Sequence, residues 1–311
     1  METAVMTDIV PIEHLRELFG EQLQEQVSLA PYTSARIGGA ADALVTAYSA
    51  DELAQAVHTC WQQDLPFTML GGGSNVLVSD AGVRGIVILN RAKAVEFRSG
   101  AVPMIRAEAG TIFSNLAHRA AAKGLAGLEW AIAVPGTVGG AVYGNAGAFG
   151  GDTSQNLIRA EILSESGRHW WSTEKLEYGY RTSALKRAHS KAVVLAAEFA
   201  VINGDPAQIQ ATVDGFTERR KATQPPGASM GSMFKNPPGY FAGQLIEACG
   251  LKGTRIGNAE ISPVHGNFFV NTGETKSADI KKLIDLAQKT VFEKIGIKLE
   301  LEVELLGDFD A

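Results

Sequence analysis

The sequence predicts a protein of α/β and α+β units in more than one domain. Its 311 residues, 45% of them hydrophobic, are long for a single core, so about two or three domains are expected. Short runs of branched apolar residues, typical of strands, alternate with longer amphipathic patterns typical of helices. The 34 glycines cluster in residues 71–73, 136–151 and 227–257. We therefore look for function in the glycine-rich loops.

In the first half of the chain, helices and strands alternate. Helices are expected over residues 14–23, after Ser49, and over residues 112–123. Strands are expected over residues 43–48, 66–70, 76–78 and 85–89. Ser49 and Glu52 form a capping box for the second helix, and Thr111 is placed to cap the third. This alternation is the basis of the α/β prediction.

The second half predicts paired strands followed by long helices. Strands are expected over residues 157–172, with a turn at 164–167, and over residues 192–201 and 297–306. Helices are expected over residues 205–223, 241–250 and 277–295, the last capped by Ser277. In the closing strand Glu300, Glu302 and Glu304 alternate with apolar residues, so their carboxylates share one face. This face is either a solvated edge or, where a carboxylate is buried, needs a cation.

Charge and composition exclude several classes of function. With 28 Lys and Arg against 34 Asp and Glu, the net charge of −6 provides no broad basic surface, so nucleic acid is not an expected partner. The two cysteines, Cys60 and Cys249, and the six histidines have no metal-ligand spacing, so no metal is expected. No apolar run approaches the ~20 residues that span a membrane, and the polar and acidic residues after Met1 do not predict a secretory leader. We expect a reduced, cytoplasmic, soluble protein.

The glycine run at residues 71–75 has two interpretations. It is either a tight hairpin turn between short strands or a nest of backbone N–H groups that binds a phosphate. The Rossmann fingerprint fails because position 76 is valine and no helical pattern follows. A Walker A loop is excluded because the sequence contains no Gly-Lys pair.

The longest glycine-rich segment, residues 127–152, is too apolar for a flexible linker. We expect a buried loop. Its backbone needs hydrogen-bond partners, which either a polar ligand or irregular packing inside a large domain provides.

Two further loops carry polar side chains that suit an anionic ligand. They are Tyr180-Arg181-Thr182-Ser183 and Gly231-Ser232-Met233-Phe234-Lys235-Asn236-Pro237. On their own, Arg181 is equally well a surface charge and the second loop a structural turn. Gly227-x-Ser229-x-Gly231 matches a hydrolase nucleophile elbow, but prolines before and after it exclude the strand and helix that the elbow requires.

Taken together, these segments resemble the bacterial UDP-N-acetylenolpyruvoylglucosamine reductases of peptidoglycan synthesis. The resemblance runs from about Tyr32 to Gly307 and follows the family's order of motifs. The motifs are Arg36-Ile37-Gly38-Gly39-Ala40, Leu70 to Asn75, Val134 to Gly151, Tyr180-Arg181-x-Ser183, Gly231-Ser232-x-Phe234-Lys235-Asn236-Pro237, Arg255-Ile256-Gly257 with Ser262, His265-x-Asn267-Phe268-x-Val270-Asn271, and Leu301-Glu302-Val303. The chain resembles the shorter subtype, which lacks an extra loop with a tyrosine.

The resemblance implies an FAD-binding fold of the vanillyl-alcohol-oxidase type and a separate α+β substrate-binding domain. The implied FAD-binding subdomains are residues 1–90 and 91–213, the substrate-binding domain is 214–298, and residues 299–311 form a closing strand that returns to the FAD-binding part. The implied cofactor-binding residues are Arg36, Gly38, Leu70, Gly71, Gly72, Gly73, Ser74, Asn75, Pro135, Gly136, Thr137, Gly139, Gly140, Ala141, Asn145 and Gly147.

The resemblance also implies a reaction. NADPH is the implied co-substrate, and a UDP-sugar with an enolpyruvyl ether is the implied substrate. The implied catalytic residues are Arg181, Ser232 and Glu302, and the implied substrate-binding residues are Lys235, Asn236 and Arg220. We expect a monomer. The alternatives are an FAD-linked oxidase of an alcohol or sugar, and a nucleotide-binding module without turnover. The loop at 225–230 departs from the family, with Ala228 where proline is usual.

Overall fold

The structure is a computed structural model that describes residues 11–100, 102–188 and 191–309. Its first unit is a sheet in the order β1-β2-β5-β3, in which β5 pairs parallel with both β2 and β3. The strands are β1 (Leu23–Ser28), β2 (Ala40–Ala47), β3 (Phe67–Leu70), β4 (Val76–Val78) and β5 (Val83–Asn90). The helices are α1 (Ile12–Phe19) and α2 (Ala50–Gln62), whose apolar faces are buried in the same core as strands β2 and β5.

The second unit is a five-stranded antiparallel sheet in the order β12-β11-β13-β7-β6. The strands in chain order are β6 (Val95–Arg98), β7 (Met104–Glu108), β8 (Leu125–Ala126), β9 (Gly147–Ala148), β10 (Gly151–Asp152), β11 (Leu157–Ser164), β12 (Gly167–Ser172), β13 (Ala192–Ala200) and β14 (Ile202–Asn203). The helices are α3 (Phe113–Ala121), α4 (Val138–Gly144), α5 (Thr153–Asn156), α6 (Thr173–Leu176), α7 (Ala184–Arg187) and α8 (Pro206–Thr223).

The third unit is a smaller antiparallel sheet in the order β15-β18-β17-β16, packed against two helices. Its elements are β15 (Ala228–Ser232), α9 (Ala242–Ala248), β16 (Arg255–Ile256), β17 (Ala259–Ile261), β18 (Phe268–Asn271) and α10 (Ser277–Ile295). The chain then returns to the first unit, where β19 (Glu304–Leu306) pairs parallel with β4. Ile37 and Leu77 of the first unit are buried in the core of the third, so these two units share apolar packing.

The strands beside the 71–75 turn do not pair with each other. β3 belongs to the first sheet, whereas β4 pairs with β19 from the end of the chain. The hairpin interpretation is therefore wrong. The turn instead connects the first sheet to a strand that meets the C-terminal segment.

Several predicted elements differ from the observed ones. The first helix, expected over residues 14–23, ends at Phe19, and a strand begins at Leu23. The glycine-rich segment is buried but is not an irregular loop throughout, because it contains the 3₁₀ turn Glu129–Ala133 and the helix α4. The closing strand is confined to β19 rather than extending over 297–306. The loop expected from Gly231 to Pro237 begins inside the strand β15, which ends at Ser232.

Two predicted helix caps are also wrong. Thr111 does not cap α3, and its buried hydroxyl has no hydrogen-bond partner within the described residues. Ser277 is the first residue of α10 rather than its cap. The Asp80 carboxylate accepts hydrogen bonds from the backbone N–H groups of Ser277 and Ala278, at 2.9 and 3.1 Å. The cap of α10 thus comes from a loop of the first unit.

We expect Asp80→Ala to lower the free energy of unfolding by about 1 kcal/mol, the usual cost of losing a helix cap. The midpoint of urea unfolding of the flavin-loaded protein measures this loss. Asp285→Ala is the matched control, because Asp285 lies on the same helix and forms an exposed pair with Lys281. Such pairs contribute about 0.3–0.5 kcal/mol. Equal shifts for the two variants would contradict a capping role for Asp80.

None of the helices in the described ranges combines the length and apolar character needed to cross a membrane.

Candidate active site

A cavity of about 950 Å³ lies where the three units meet. It is lined by residues from all three units, including both glycine-rich loops and the strand β15. Of the residues that the resemblance singled out, those lining it are Ser74, Asn75, Pro135, Gly136, Thr137, Gly140, Ala141, Gly147, Arg181, Arg220, Ser232 and Glu302. Residues more than 200 positions apart in the sequence therefore share one site.

The remaining candidates do not line this cavity. They are Arg36, Gly38, Leu70, Gly71, Gly72, Gly73, Gly139, Asn145, Lys235 and Asn236. Asn236 lines a second cavity of about 370 Å³. The Asn145 amide is occupied by the protein itself, since it donates to the Gly179 carbonyl at 3.1 Å and accepts from Ser154 N–H at 3.0 Å. Asn145 thereby fixes the turn that leads into Arg181.

The two glycine-rich loops lie directly against each other. A Cβ atom on Gly71 would stand 2.6 Å from the Thr137 hydroxyl, and one on Gly72 would stand 2.8 Å from the Gly136 Cα. Both distances are shorter than real Cβ contacts, so only glycine fits at these positions. Arg91 donates a hydrogen bond to the Gly71 carbonyl at 2.8 Å and so holds the end of the loop. Of these residues Gly136 and Thr137 line the cavity, and the backbone of Gly71 and Gly72 packs closely against them.

Arg181 and Glu302 form an ion pair at the cavity. The Arg181 Nε lies 2.9 Å from Glu302 Oε1, with 26% and 14% of the two side chains exposed. The Nε–H is not directed at that oxygen, and it is a buried donor without a hydrogen-bond partner in the described part of the chain. Arg181 also has a positive φ of 56°, which is uncommon for a residue other than glycine. Strained backbone and an unpaired buried donor are features typical of a binding site.

The three acidic residues predicted to share a strand face are each paired with a cation. Glu300 lies 3.4 Å from Lys235 and is largely exposed, whereas Glu304 lies 2.9 Å from Lys186. Glu302 is the least exposed of the three. Burial raises the pKa of its carboxyl, and the positive charges of Arg181, Lys186 and Lys235 oppose that rise. Two opposing effects therefore set the pKa of Glu302: burial raises it, and three nearby cations lower it.

Ser232 lies at the end of β15 and lines both cavities. No protein group in the described ranges hydrogen-bonds its hydroxyl, which leaves the hydroxyl available to a ligand. The next residue accepts a hydrogen bond at its carbonyl, from Glu302 N–H to Met233 O at 2.9 Å. Ser232 and Glu302 are therefore held on neighbouring backbone segments.

Sequence reasoning missed several polar residues of the cavity. They are Ser34, His118, Lys186, Lys221 and Gln224. For Lys186 a local signal exists, because Ser183 accepts a hydrogen bond from Lys186 N–H and caps the short helix after Arg181. That helix directs Lys186 towards Glu304.

The cavity fits a large anionic cofactor. Its volume lies near the upper end of the ~300–1,000 Å³ range of small-molecule sites. One part of its lining is closely packed backbone that leaves no room for side chains. Another part consists of the cations Arg181, Lys186, Arg220 and Lys221. A diphosphate with an aromatic ring system suits both parts of this lining.

Two family models match the chain. An FAD binding domain matches residues 41–173, and the C-terminal domain of UDP-N-acetylenolpyruvoylglucosamine reductase matches residues 222–306. The reductase of that name from Chloroflexus aggregans is 42% identical over 297 residues, which cover 94% of this chain and 100% of the relative. The chain belongs to the UDP-N-acetylenolpyruvoylglucosamine reductase family. The Rubrobacter xylanophilus member is 43% identical, covering 90% of this chain and 94% of the relative.

A crystal structure of the family's enzyme from Thermus caldophilus is also similar. It superimposes with a TM-score of 0.76 at 35% identity and covers 92% of this chain and 100% of that chain. Membership of the UDP-N-acetylenolpyruvoylglucosamine reductase family confirms three predictions: the resemblance itself, the FAD-binding fold, and an oxidoreductase that uses FAD. Because these relatives are reductases, the oxidase and the non-catalytic module lose their support.

Proposed function

We propose that the protein uses NADPH to reduce the enolpyruvyl ether of UDP-N-acetylglucosamine to UDP-N-acetylmuramate, in peptidoglycan precursor synthesis. The observation that carries the proposal is the Arg181–Glu302 pair, which shares with Ser232 one cavity lined by both glycine-rich loops. When bound, FAD supplies the transfer of hydride from NADPH to the substrate. The protein's own residues bind the substrate carboxylate and provide a proton.

Arg181 is proposed to bind the enolpyruvyl carboxylate. Addition of hydride to the terminal carbon of the substrate places negative charge on the carboxylate in an enolate-like intermediate. A guanidinium remains charged and binds carboxylates with two parallel hydrogen bonds. Because no group in the described ranges accepts from its Nε–H, Arg181 still has donor capacity while it is paired with Glu302. Preorganised donors of this kind stabilise charge that develops in a transition state.

Ser232 is proposed to protonate the carbon that bears the carboxylate. A serine hydroxyl is a weak acid. The substrate carbon, however, has carbanion character and is a strong base at close range. The unpaired hydroxyl lines the same cavity as Arg181, so one substrate can reach both. Glu302 holds the guanidinium in position by its charge.

Substrate positioning is proposed for Lys235, Asn236 and Arg220. Lys235 forms an ion pair with the exposed Glu300, a contact of little net energy that a phosphate can replace. Arg220 donates to the Ala133 carbonyl at 3.1 Å, and burial lowers the pKa of its guanidinium. An anionic ligand would offset that desolvation. Since both substrates of the reaction are cytoplasmic nucleotides, we propose that the enzyme is cytoplasmic. We also propose that it acts as a monomer.

An anaerobic absorbance experiment tests the proposed reaction. We expect the purified protein to show oxidised flavin bands that bleach with NADPH and return when enolpyruvyl-UDP-N-acetylglucosamine is added. A control without the sugar substrate should stay bleached. Bleached bands that the substrate does not restore would overturn the assigned substrate while leaving the flavin site intact.

A further inference from the structure

The side chain of Asn75 is bonded to the chain's own backbone, although it lines the main cavity. Its Nδ2 donates a hydrogen bond to the Glu302 carbonyl at 3.0 Å. Its main-chain carbonyl accepts a hydrogen bond from Glu304 N–H, also at 3.0 Å. Asn75 therefore contacts the residues on both sides of position 303 through two different groups.

The segment around Glu302 is held from its other side by the loop that carries Ser232. Glu302 N–H donates to the Met233 carbonyl, and Lys235 N–H donates to the Glu300 carbonyl, each at 2.9 Å. The peptide groups of Glu302 are thus fixed between the glycine loop and the serine loop. Glu302 therefore accepts a bond at its carbonyl from the glycine loop and donates one from its N–H to the serine loop.

This segment has no continuous sheet ladder of its own. Regular pairing begins only at Glu304, where β19 meets β4, and Leu301 makes an isolated bridge to Phe234. In a ladder, neighbouring bonds would hold a residue after one bond is lost. The Asn75 side-chain bond joins the glycine loop to the Glu302 carbonyl, so its loss releases that carbonyl while the backbone bonds at Glu304 and Met233 remain.

We propose that Asn75 is a positioning residue that sets the placement of Glu302, and through it Arg181, for protonation of the substrate. The inference rests on the proposed function, because it assigns Asn75 to the substrate half-reaction. It differs from a cofactor-binding role, in which the amide would bind FAD directly. The proposed role also couples the position of the 71–75 loop to the position of Glu302.

Asn75→Ala is expected to separate the two half-reactions. With flavin saturated, bleaching by NADPH should keep the wild-type rate, and reoxidation by the enolpyruvyl substrate should slow by about 10- to 100-fold, the cost of a small misplacement. Stopped-flow absorbance measures both rates, and flavin fluorescence measures cofactor affinity. Asn75→Asp, which keeps the shape but cannot donate, provides the same test if the alanine variant is unstable.

Ser74→Ala is the matched comparison, because Ser74 lines the same cavity beside Asn75 but has no bond to Glu302 in the described structure. It should weaken flavin binding and, at saturation, affect both half-reactions alike. If Asn75→Ala shows that same pattern, the positioning role is overturned and Asn75 is a cofactor contact. A wild-type protein that the substrate cannot reoxidise would instead refute the proposed function.

A double-mutant cycle shows whether Asn75 acts through Glu302. Once Glu302→Ala has removed the carboxylate, adding Asn75→Ala should slow reoxidation by less than about 3-fold, since coupled residues are not additive. A full additional 10- to 100-fold loss in the double variant would mean that Asn75 acts independently of Glu302, and would overturn the proposal.

Discussion

Replacement of Ser232 by alanine is expected to slow reoxidation of the flavin by the enolpyruvyl substrate by about 10²- to 10⁴-fold, the usual contribution of a positioned general acid. Reduction by NADPH should be unchanged, because that half-reaction needs no proton at the substrate carbon. Among the residues that the structure describes, none hydrogen-bonds this hydroxyl, so its loss leaves no partner group unpaired there. Anaerobic stopped-flow absorbance of the two half-reactions measures the difference.

Two variants control this experiment. Ser232→Thr keeps a hydroxyl and should retain much more of the reoxidation rate than Ser232→Ala. Ser166→Ala removes an exposed hydroxyl in the turn between β11 and β12 and should behave as wild type. Equal losses in both half-reactions of Ser232→Ala would refute the proton-donor role and indicate a general disturbance of the cavity.

Local signals in the sequence predicted local structure well. Ser49 accepts from Glu52 N–H at 3.1 Å, so the predicted cap is confirmed, whereas the Glu52 carboxylate accepts from Tyr48 N–H at 2.9 Å, one residue before the N–H that a capping box uses. The helix expected to open at Asp205-Pro206 spans Pro206–Thr223, and Asp205 caps it. The energies involved act within four residues, so neighbouring sequence is sufficient to predict them.

Structural features that depend on residues distant in the sequence could not be predicted. Nothing near Ser277 indicates that Asp80 caps its helix, because the two residues lie 197 positions apart. The alternation of Glu300, Glu302 and Glu304 placed three carboxylates on one face but could not identify the buried one. That distinction depends on Arg181, which reaches Glu302 through tertiary packing.

The candidate site shows the same division. The tetrapeptide alone left Arg181 as either a surface charge or a ligand for an anion, and the loop with Ser232 as either a structural turn or a binding loop. The family resemblance supplied their proposed roles, and the fold supplied their common cavity. His118 was missed because its own sequence neighbourhood does not indicate that residues distant in the sequence line a cavity beside it.

Arg181→Lys is expected to slow reoxidation by about 10²- to 10³-fold, the cost of losing one preorganised donor to developing negative charge. Lysine retains a positive charge but cannot form the two parallel hydrogen bonds of a guanidinium. Reduction by NADPH should change little. Arg187→Lys is the matched control, because Arg187 lies six residues further along in an exposed pair with Glu177 and should behave as wild type.

The same variant should also change the pH dependence of reoxidation. Burial raises the pKa of Glu302, and Arg181 is the first of the cations that oppose this rise. A lysine placed less closely opposes it less, so the pKa of Glu302 rises further in the variant. If the ionised carboxylate holds the cation at position 181, the rate falls as pH drops through that pKa, and the acid limb of the profile moves to higher pH. If the variant is slow but the acid limb of its profile does not move, the coupling of the two residues is contradicted. Arg181 would then bind the substrate without depending on the charge of Glu302.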